Sequence, residues 1–403
     1  MTIDLGGHTV RAWRNAIFAI FALTGIGLSS WVSRTPAVRD ALDASTARMG
    51  WIIFGLAAGS IVGLTTSSHV LARIGGRRTI LIALLLASVG LAVVGIGALA
   101  TATAIVITGL ALFGAGYGLC DVAMNVEGAA NEHALDRTIM PLFHASFSVG
   151  TMIGAGLGTI AEFTRVPVIV HLGLVAVVIA GTTVVTVRFL PRNAGEQDPE
   201  QADEEPVSPR TRLAVWREPR TLLIGVIVLG LAFAEGSAND WLTLAMVDGH
   251  DVSNAIGSLV FGIFVAAMTL GRIVGVKLLD TYGRVRVLLA SAACAVTGLA
   301  IVIFVPSATV ATAGVVLWGL GSALGFPVGL SAAADEPRLS AARVSVVATI
   351  GYVAFLAGPP ALGFLGERVG LLHAFIAVLV FAALAGLASP AARPIGTQTP
   401  HER

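Results

Sequence analysis

Polar residues are rare along most of this chain and gather in short clusters. Between the clusters run apolar stretches of the length, about 20 residues, that an α-helix needs to cross a bilayer. Twelve can be marked. In the first half they lie near 14–34, 46–70, 78–99, 103–130, 141–162 and 167–189. In the second they lie near 220–246, 254–279, 284–305, 309–333, 342–366 and 370–389. Some neighbours are separated only by turn signals: "RIGGRR" divides the second stretch from the third, "ALDRTIMP" the fourth from the fifth, and "PSATVAT" the ninth from the tenth. The pattern predicts an all-α membrane protein of twelve transmembrane helices. The start, "MTIDLGGHTVRAWRN", leads into the first stretch with no small-residue cleavage site soon after, so that helix is expected to stay in the mature protein.

Composition excludes a soluble alternative. The chain is 56% hydrophobic and 12% charged, with mean hydropathy +0.87, and so few charges could not cover a water-facing surface. A net charge of +1 gives no reason to expect nucleic acid as a partner. Cys120 and Cys294 are both in apolar stretches, with neither zinc-site nor disulfide spacing, and read as small buried hydrophobes.

The basic residues orient the helices. With both termini cytoplasmic, 19 of the 25 Lys and Arg fall in inside segments, while Arg34, Arg39, Arg48, Arg165 and Arg368 fall outside and Arg272 lies within a span. The bacterial inner membrane, with both termini in the cytoplasm, is the expected location. The stretch "PRNAGEQDPEQADEEPVSPRTR" cannot bury a core and reads as a solvated linker. The expected organisation is a first six-helix bundle at 1–190, a linker at 191–218, a second bundle at 219–392 and a tail at 393–403.

The halves resemble each other. "LFGAGYGL" at 112–119 matches "LWGLGSAL" at 317–324, "TGIGLSSW" ending at Trp31 matches "AEGSANDW" ending at Trp241, and Asn131-Glu132 matches Asp335-Glu336. Twelve helices in two pseudo-symmetric bundles with a central linker resemble the major facilitator superfamily. That family has a Gly-x-x-x-Asp-Arg-x-Gly-Arg-Arg loop after its second helix. Here "SSHVLARIGGRRT" keeps Arg73, Gly75, Arg77 and Arg78 but has Ala72 in place of the Asp; the second copy, "GRIVGVKLLDTYGRVR", keeps Asp280, Gly283, Arg284 and Arg286. The resemblance implies that the Asp binds nearby cations and helix ends, holding the outward-open state. "GLCDVAMNVEGAANE", "MPLFHASFSVGTMIGAGLG", "EGSANDW" and "GYVAFLAGPPALGFLGE" look like the bacterial YbjJ-type inner-membrane subfamily, distantly similar to fucose permease-like symporters. The resemblance also implies a monomer.

Candidate chemistry lies where polar residues enter apolar helices. Asp121 is a few residues past the middle of the fourth stretch, and Asn125 follows one turn on. An unpaired charge at that depth costs several kcal/mol, and burial disfavours the charged form, so Asp121 is a candidate to bind and release a proton. Fucose permeases are similar, with a proton-carrying acid on the fourth helix. The competing role is a fixed pair with a neighbouring helix, with Arg272 as one possible partner. Glu127 and Glu132, nearer the cytoplasmic end, read as solvated or gating. In the seventh stretch Glu235 is near the midplane, with Asn239 on its face and Asp240 and Trp241 beyond; Asp240 is a candidate outer gate or partner of Arg34. His144 is a candidate proton relay or a hydrogen-bonded interfacial residue. Trp31 and Trp241 are candidates to stack on a sugar or to anchor at the interface.

The glycines of "GTMIGAGLG" and "AGPPALG" permit close helix contacts, and Pro327, Pro359 and Pro360 are expected to bend or break the tenth and eleventh helices. A Gly-Pro motif in the fifth helix marks proton-linked drug exporters of the superfamily; here Ala155 takes the proline's place. No nucleotide loop, metal cluster or enzyme motif is found, and no cofactor or metal is expected. The leading expectation is a secondary transporter that works by alternating access, with proton-coupled uptake of a small polar solute such as a sugar first. The alternatives are a proton-linked drug or metabolite exporter and a sensor or scaffold without flux.

Overall fold

The computed structural model describes residues 9–137, 139–191, 214–336 and 339–394, and among them regular structure is helical throughout. Most of the expected linker (192–213) and the tail beyond 394 lie outside the described residues. The helices are α1 (Val10–Ser33), α2 (Thr35–Leu42), α3 (Thr46–Leu99), α4 (Thr103–Leu135), α5 (Met140–Phe163), α6 (Val168–Thr186), α7 (Pro219–His250), α8 (Asn254–Tyr282), α9 (Arg284–Phe304), α10 (Ala308–Ser322), α11 (Gly325–Ala333), α12 (Ser340–Val369) and α13 (Leu371–Ala388). Thr9, Ser45 and Ser307 cap α1, α3 and α10 by accepting from backbone N–H groups three residues on. Ten helical segments among the described residues are long and apolar enough to cross a membrane.

The marked stretches are helical to within a few residues at their ends, with three differences. The short α2 was not foreseen. α3 is 54 residues long and holds both the second and third stretches, parted at Gly75, where φ is 75° and ψ is 164°. Gly283, just before α9, has almost the same backbone, φ 76° and ψ 161°. Both conformations belong to a region that only glycine occupies readily, so the two loop motifs share a backbone device as well as a sequence. The prolines supply the third difference. The tenth stretch is split between Ser322 and Gly325, with Pro327 in the first turn of α11, where its missing N–H has no helical partner to lose. The expected break at Pro359-Pro360 does not occur: α12 runs through both. The helix packs closely there: a Cβ on Gly50 of α3 would press on the Pro359 carbonyl and on Gly363.

The chain packs as two compact units. One takes Met1–Asp203, Asn239–Ala266 and Pro359–Leu371; the other takes Glu204–Ala238, Ala267–Gly358 and Leu372–Arg403. In the first, Gly59 and Gly63 of α3 lie against the carbonyls of Ala111 and Ala115 on α4, while Gly114 and Gly118 of α4 lie against those of Leu56 and Ser60. A Cβ at any of the four would collide with backbone, so the helices approach as closely as small residues permit. Gly150 and Gly154 of α5 do the same against the Ala22 and Ile26 carbonyls of α1, and Gly158 lies against the Ser33 side chain, the close approach that the glycine spacing predicts. On α6, Leu174, Val177 and Val178 are left exposed, an apolar surface suited to lipid.

In the second unit, charges gather at helix ends. Asp335 accepts from Arg284 and from Arg220, the latter at 2.9 Å. Arg343 pairs with Glu218 and Glu336, each at 2.7 Å. Deeper in, Trp318 Nε1 donates to the Ala234 carbonyl at 3.0 Å, joining α10 to α7.

Two outcomes are expected. Nothing lies within 4 Å of a Cβ built on Gly283, so Gly283→Ala tests backbone strain alone; it should cost about 1–3 kcal/mol, read as a lower melting temperature in detergent than for Tyr282→Ala. Hydrogen bonding from Arg343 holds the Glu218 carboxyl below its ordinary range. That stabilisation is present above the unfolded-state value of about 4.3 and is lost as pH falls through the lower native value. Glu218→Gln should therefore flatten the acid limb of a stability–pH curve, at a neutral-pH cost under about 1 kcal/mol for so exposed a pair.

Candidate functional site

Asp121 lies on α4 between the buried Cys120 and the buried pair Ala123-Met124. Thr24 of α1 packs on the same face, 3.9 Å from Cys120 Sγ and 3.8 Å from Met124 Sδ. The Asp121 side chain is half-buried, and no ion pair to it is found among the described residues. Asn125 follows one turn on, but its Nδ2 donates to the Asp121 backbone carbonyl at 2.7 Å and not to the carboxylate.

Arg272, weighed as a partner of Asp121, is engaged elsewhere. Its Nη2 lies 3.0 Å from Glu235 Oε1, and its Nε lies 3.5 Å from the Ala323 carbonyl beyond α10. The pairing joins α7 to α8 and neutralises two charges that would each be costly alone in an apolar setting. Asn239 and Asp240, further along α7, are half-buried.

Three expectations are corrected, and Glu132 gains a structural role. Trp31 is 1% exposed and Trp241 0%, so neither ring is an interface anchor or an open stacking platform here; both fill the core. Arg34 pairs with Glu162 at 3.2 Å and donates to the Val166 carbonyl at 2.6 Å, so it is not the partner of Asp240. It follows the last turn of α1, which packs beside the end of α5 where Glu162 stands. Glu127 is fully buried, and Trp13 Nε1 of α1 donates to its Oε2 at 3.1 Å; it is not solvated. Glu132 accepts from the backbone N–H groups of Ile139 and Met140, at 2.6 and 2.7 Å, and so caps the start of α5.

His144 is exposed on the first turns of α5, with its ring edge-on to Phe21 at 5.3 Å. In the first loop motif Arg73 and Arg78 are exposed and Arg77 is half-buried. In the second, Asp280 is exposed and no ion pair to it is found among the described residues, whereas Arg284 reaches Asp335. The working contact of that motif in this conformation is therefore the arginine's.

Sequence reading gave no hint of a polar seal at the end of α1 remote from Val10. Within the first unit, Arg39 of α2 pairs with Asp248 of α7, and Asn254 of α8 donates to Asp40 at 3.0 Å. Ser258 Oγ donates to the Ser33 carbonyl at 2.7 Å, and Glu367 accepts from the Ala47 N–H at 3.1 Å. The residues come from segments more than 200 positions apart, with no local pattern to announce them.

The comparisons agree with this architecture. A model of the Major Facilitator Superfamily matches residues 138–341 and 240–402, together more than half of the chain. An uncharacterized MFS-type transporter of Yersinia pestis is 30% identical over 356 residues, covering 88% of this chain and 89% of that one. An uncharacterized transporter of Sinorhizobium fredii is 30% identical over 379 residues, covering 94% and 97%. Among solved structures, a variant of the nucleoside transporter NupG superposes with TM-score 0.77 at 14% identity, covering 95% of this chain and 99% of that one. The Escherichia coli fucose:proton symporter FucP superposes with TM-score 0.62, also at 14% identity, covering 94% and 98%. At such identity the structures speak for the fold alone. The chain belongs to the Major Facilitator Superfamily, a family of transporters and not of enzymes.

Proposed function

We propose that this protein is a proton-coupled secondary transporter of a small polar solute, with a sugar as the leading class. In this reading twelve helices form two six-helix bundles that rock about a central site in the inner membrane, with both termini cytoplasmic. The seal formed by Arg39, Asp40, Asp248 and Asn254 then closes the outer side. The basic residues, gathered in the segments read as cytoplasmic, favour that orientation. A fucose:proton symporter and a D-xylose-proton symporter share the fold, which favours a hydroxylated cargo with a proton.

The observation that carries the reading is the contrast between two carboxylates in apolar helices. Glu235 is neutralised by Arg272. Among the described residues no cation pairs with Asp121, which is half-buried, so that protonation is the available way to lower its cost. Binding of a proton and a solute together would stabilise the reorienting state more than either alone, as coupling requires. Asn125, Asn239 and Asp240 are proposed to contribute to the solute site and His144 to the proton path.

The test is flux in proteoliposomes under an imposed pH gradient, with sugar and cationic-dye panels side by side. Asp121→Asn should reduce gradient-driven accumulation by at least about tenfold, a loss of about 1.4 kcal/mol of coupling, while solute exchange persists. Glu235→Gln should impair exchange as well, because it leaves Arg272 unpaired. Dye efflux without sugar uptake would replace this reading with export, and unchanged accumulation in Asp121→Asn would remove the aspartate from the mechanism.

A further inference from the structure

The two loop motifs are followed at the same interval by an acid. Gly75 precedes Glu127 by 52 residues, and Gly283 precedes Asp335 by 52. In both places the acid meets the residue just after the glycine. In the second half that residue is Arg284, which pairs with Asp335. In the first half it is Gly76, and a Cβ there would collide with Glu127 Oε1. The second donors correspond too. Arg220 stands 63 residues before Gly283 and donates to Asp335 at 2.9 Å; Trp13 stands 62 before Gly75 and donates to Glu127 at 3.1 Å. Where Asp335 has two guanidinium groups, Glu127 has an indole and a bare backbone.

The surroundings supply no other charge to Glu127. It is 0% exposed, and its Oε1 is buried without a hydrogen-bond partner. No ion pair to it is found among the described residues. On α1, Arg11 is exposed, and Arg14 is bonded to Asn15. On α3, Arg73 and Arg78 are exposed, and Arg77 is half-buried. On α4 itself, Asp121 is half-buried, His133 is exposed, and Glu132 is held by the start of α5. His144 of α5 is exposed. A buried carboxylate needs donors for both oxygens or a counter-charge. A carboxylic acid needs neither counter-charge nor a second donor, and the unpartnered oxygen is where its proton belongs.

We propose that Glu127 is a second proton-binding group of the transport cycle, protonated in this conformation and deprotonated when α1 and α3 part from it. This rests on the transport reading above. The proton leaves Glu127 as its carboxyl O–H bond breaks, passes to water admitted between those helices, and returns by the reverse step. The carboxylate so formed is hydrated while the helices are apart. Re-closing requires its protonation, because dry closure on a bare anion is costly. Glu127 thereby ties the packing of three helices to one proton.

The experiment is infrared titration of the whole protein in detergent, following the carbonyl stretch of protonated carboxylic acids. It needs no substrate, so a protein without flux would count against the transport reading and leave this measurement standing. A protonated-acid band should be present at neutral pH, fade as pH rises while the fold persists, and be lost in Glu127→Gln. It should remain in Asp121→Asn. In Trp13→Phe, which removes only the indole donor to Oε2, the band should move to higher frequency; that variant serves if Glu127→Gln does not fold. A band unchanged in both Glu127→Gln and Trp13→Phe would overturn the proposal, because Glu127 would then be ionised. A Glu127 band that persists to the pH of unfolding would also overturn it, by making the acid permanently neutral.

Discussion

A charge placed in an apolar medium must be matched or removed, and the interior of this protein is organised around that requirement. Three solutions appear in one chain. Glu235 and Arg272 match each other across two helices. Asp335 collects two arginines at the ends of helices. Glu127 has a neutral indole and, among the described residues, no cation. The first two are electrostatic ties that hold helices in register. The third is a carboxyl whose charge state and whose neighbours' packing depend on each other. Asp121 stands apart from all three, half-buried and unmatched.

Much of the fold was legible because a bilayer permits so few backbone solutions. With no water to satisfy N–H and C=O groups, an apolar stretch of sufficient length becomes helix, and helix ends could be placed to within a few residues. Glycine spacing foretold that α5 would approach a neighbour closely, though not that the neighbour is α1. The proline expectation is met by a break at Pro327, whereas α12 continues without a break through Pro359-Pro360, where it meets Gly50, a residue some 310 positions away.

The candidate site was only partly legible, for a related reason. Sequence depth identified Asp121 and Glu235 as polar groups in apolar helices, but depth does not name partners. Arg272 was recognised as an intramembrane cation and weighed as one possible partner of Asp121, whereas it pairs with Glu235. Trp31 and Trp241 looked like surface aromatics because Trp is common at membrane interfaces, whereas both lie in the core. Glu127 was read as solvated or gating from its place near a helix end, and it is buried. The signal that marks it as buried is the second glycine of "RIGGRR", which leaves room for its side chain but becomes meaningful only once α3 is seen against α4.

The glycine contacts between α3 and α4 bear on how such a molecule can move. Attraction between atoms at contact distance fades within about an ångström of separation, and here backbone meets backbone without intervening flexible side chains. A displacement of about 0.5–1 Å already forfeits roughly a quarter to a half of that attraction, and no rotamer change can follow the gap to recover it. The interlocked part of the pair is consequently stiff along the line of approach, behaving as one mechanical piece. Deformation is then left to softer places, such as the extended backbone at Gly75, which lies between two stretches of α3 that each meet α4 through glycines and immediately before the glycine that faces Glu127.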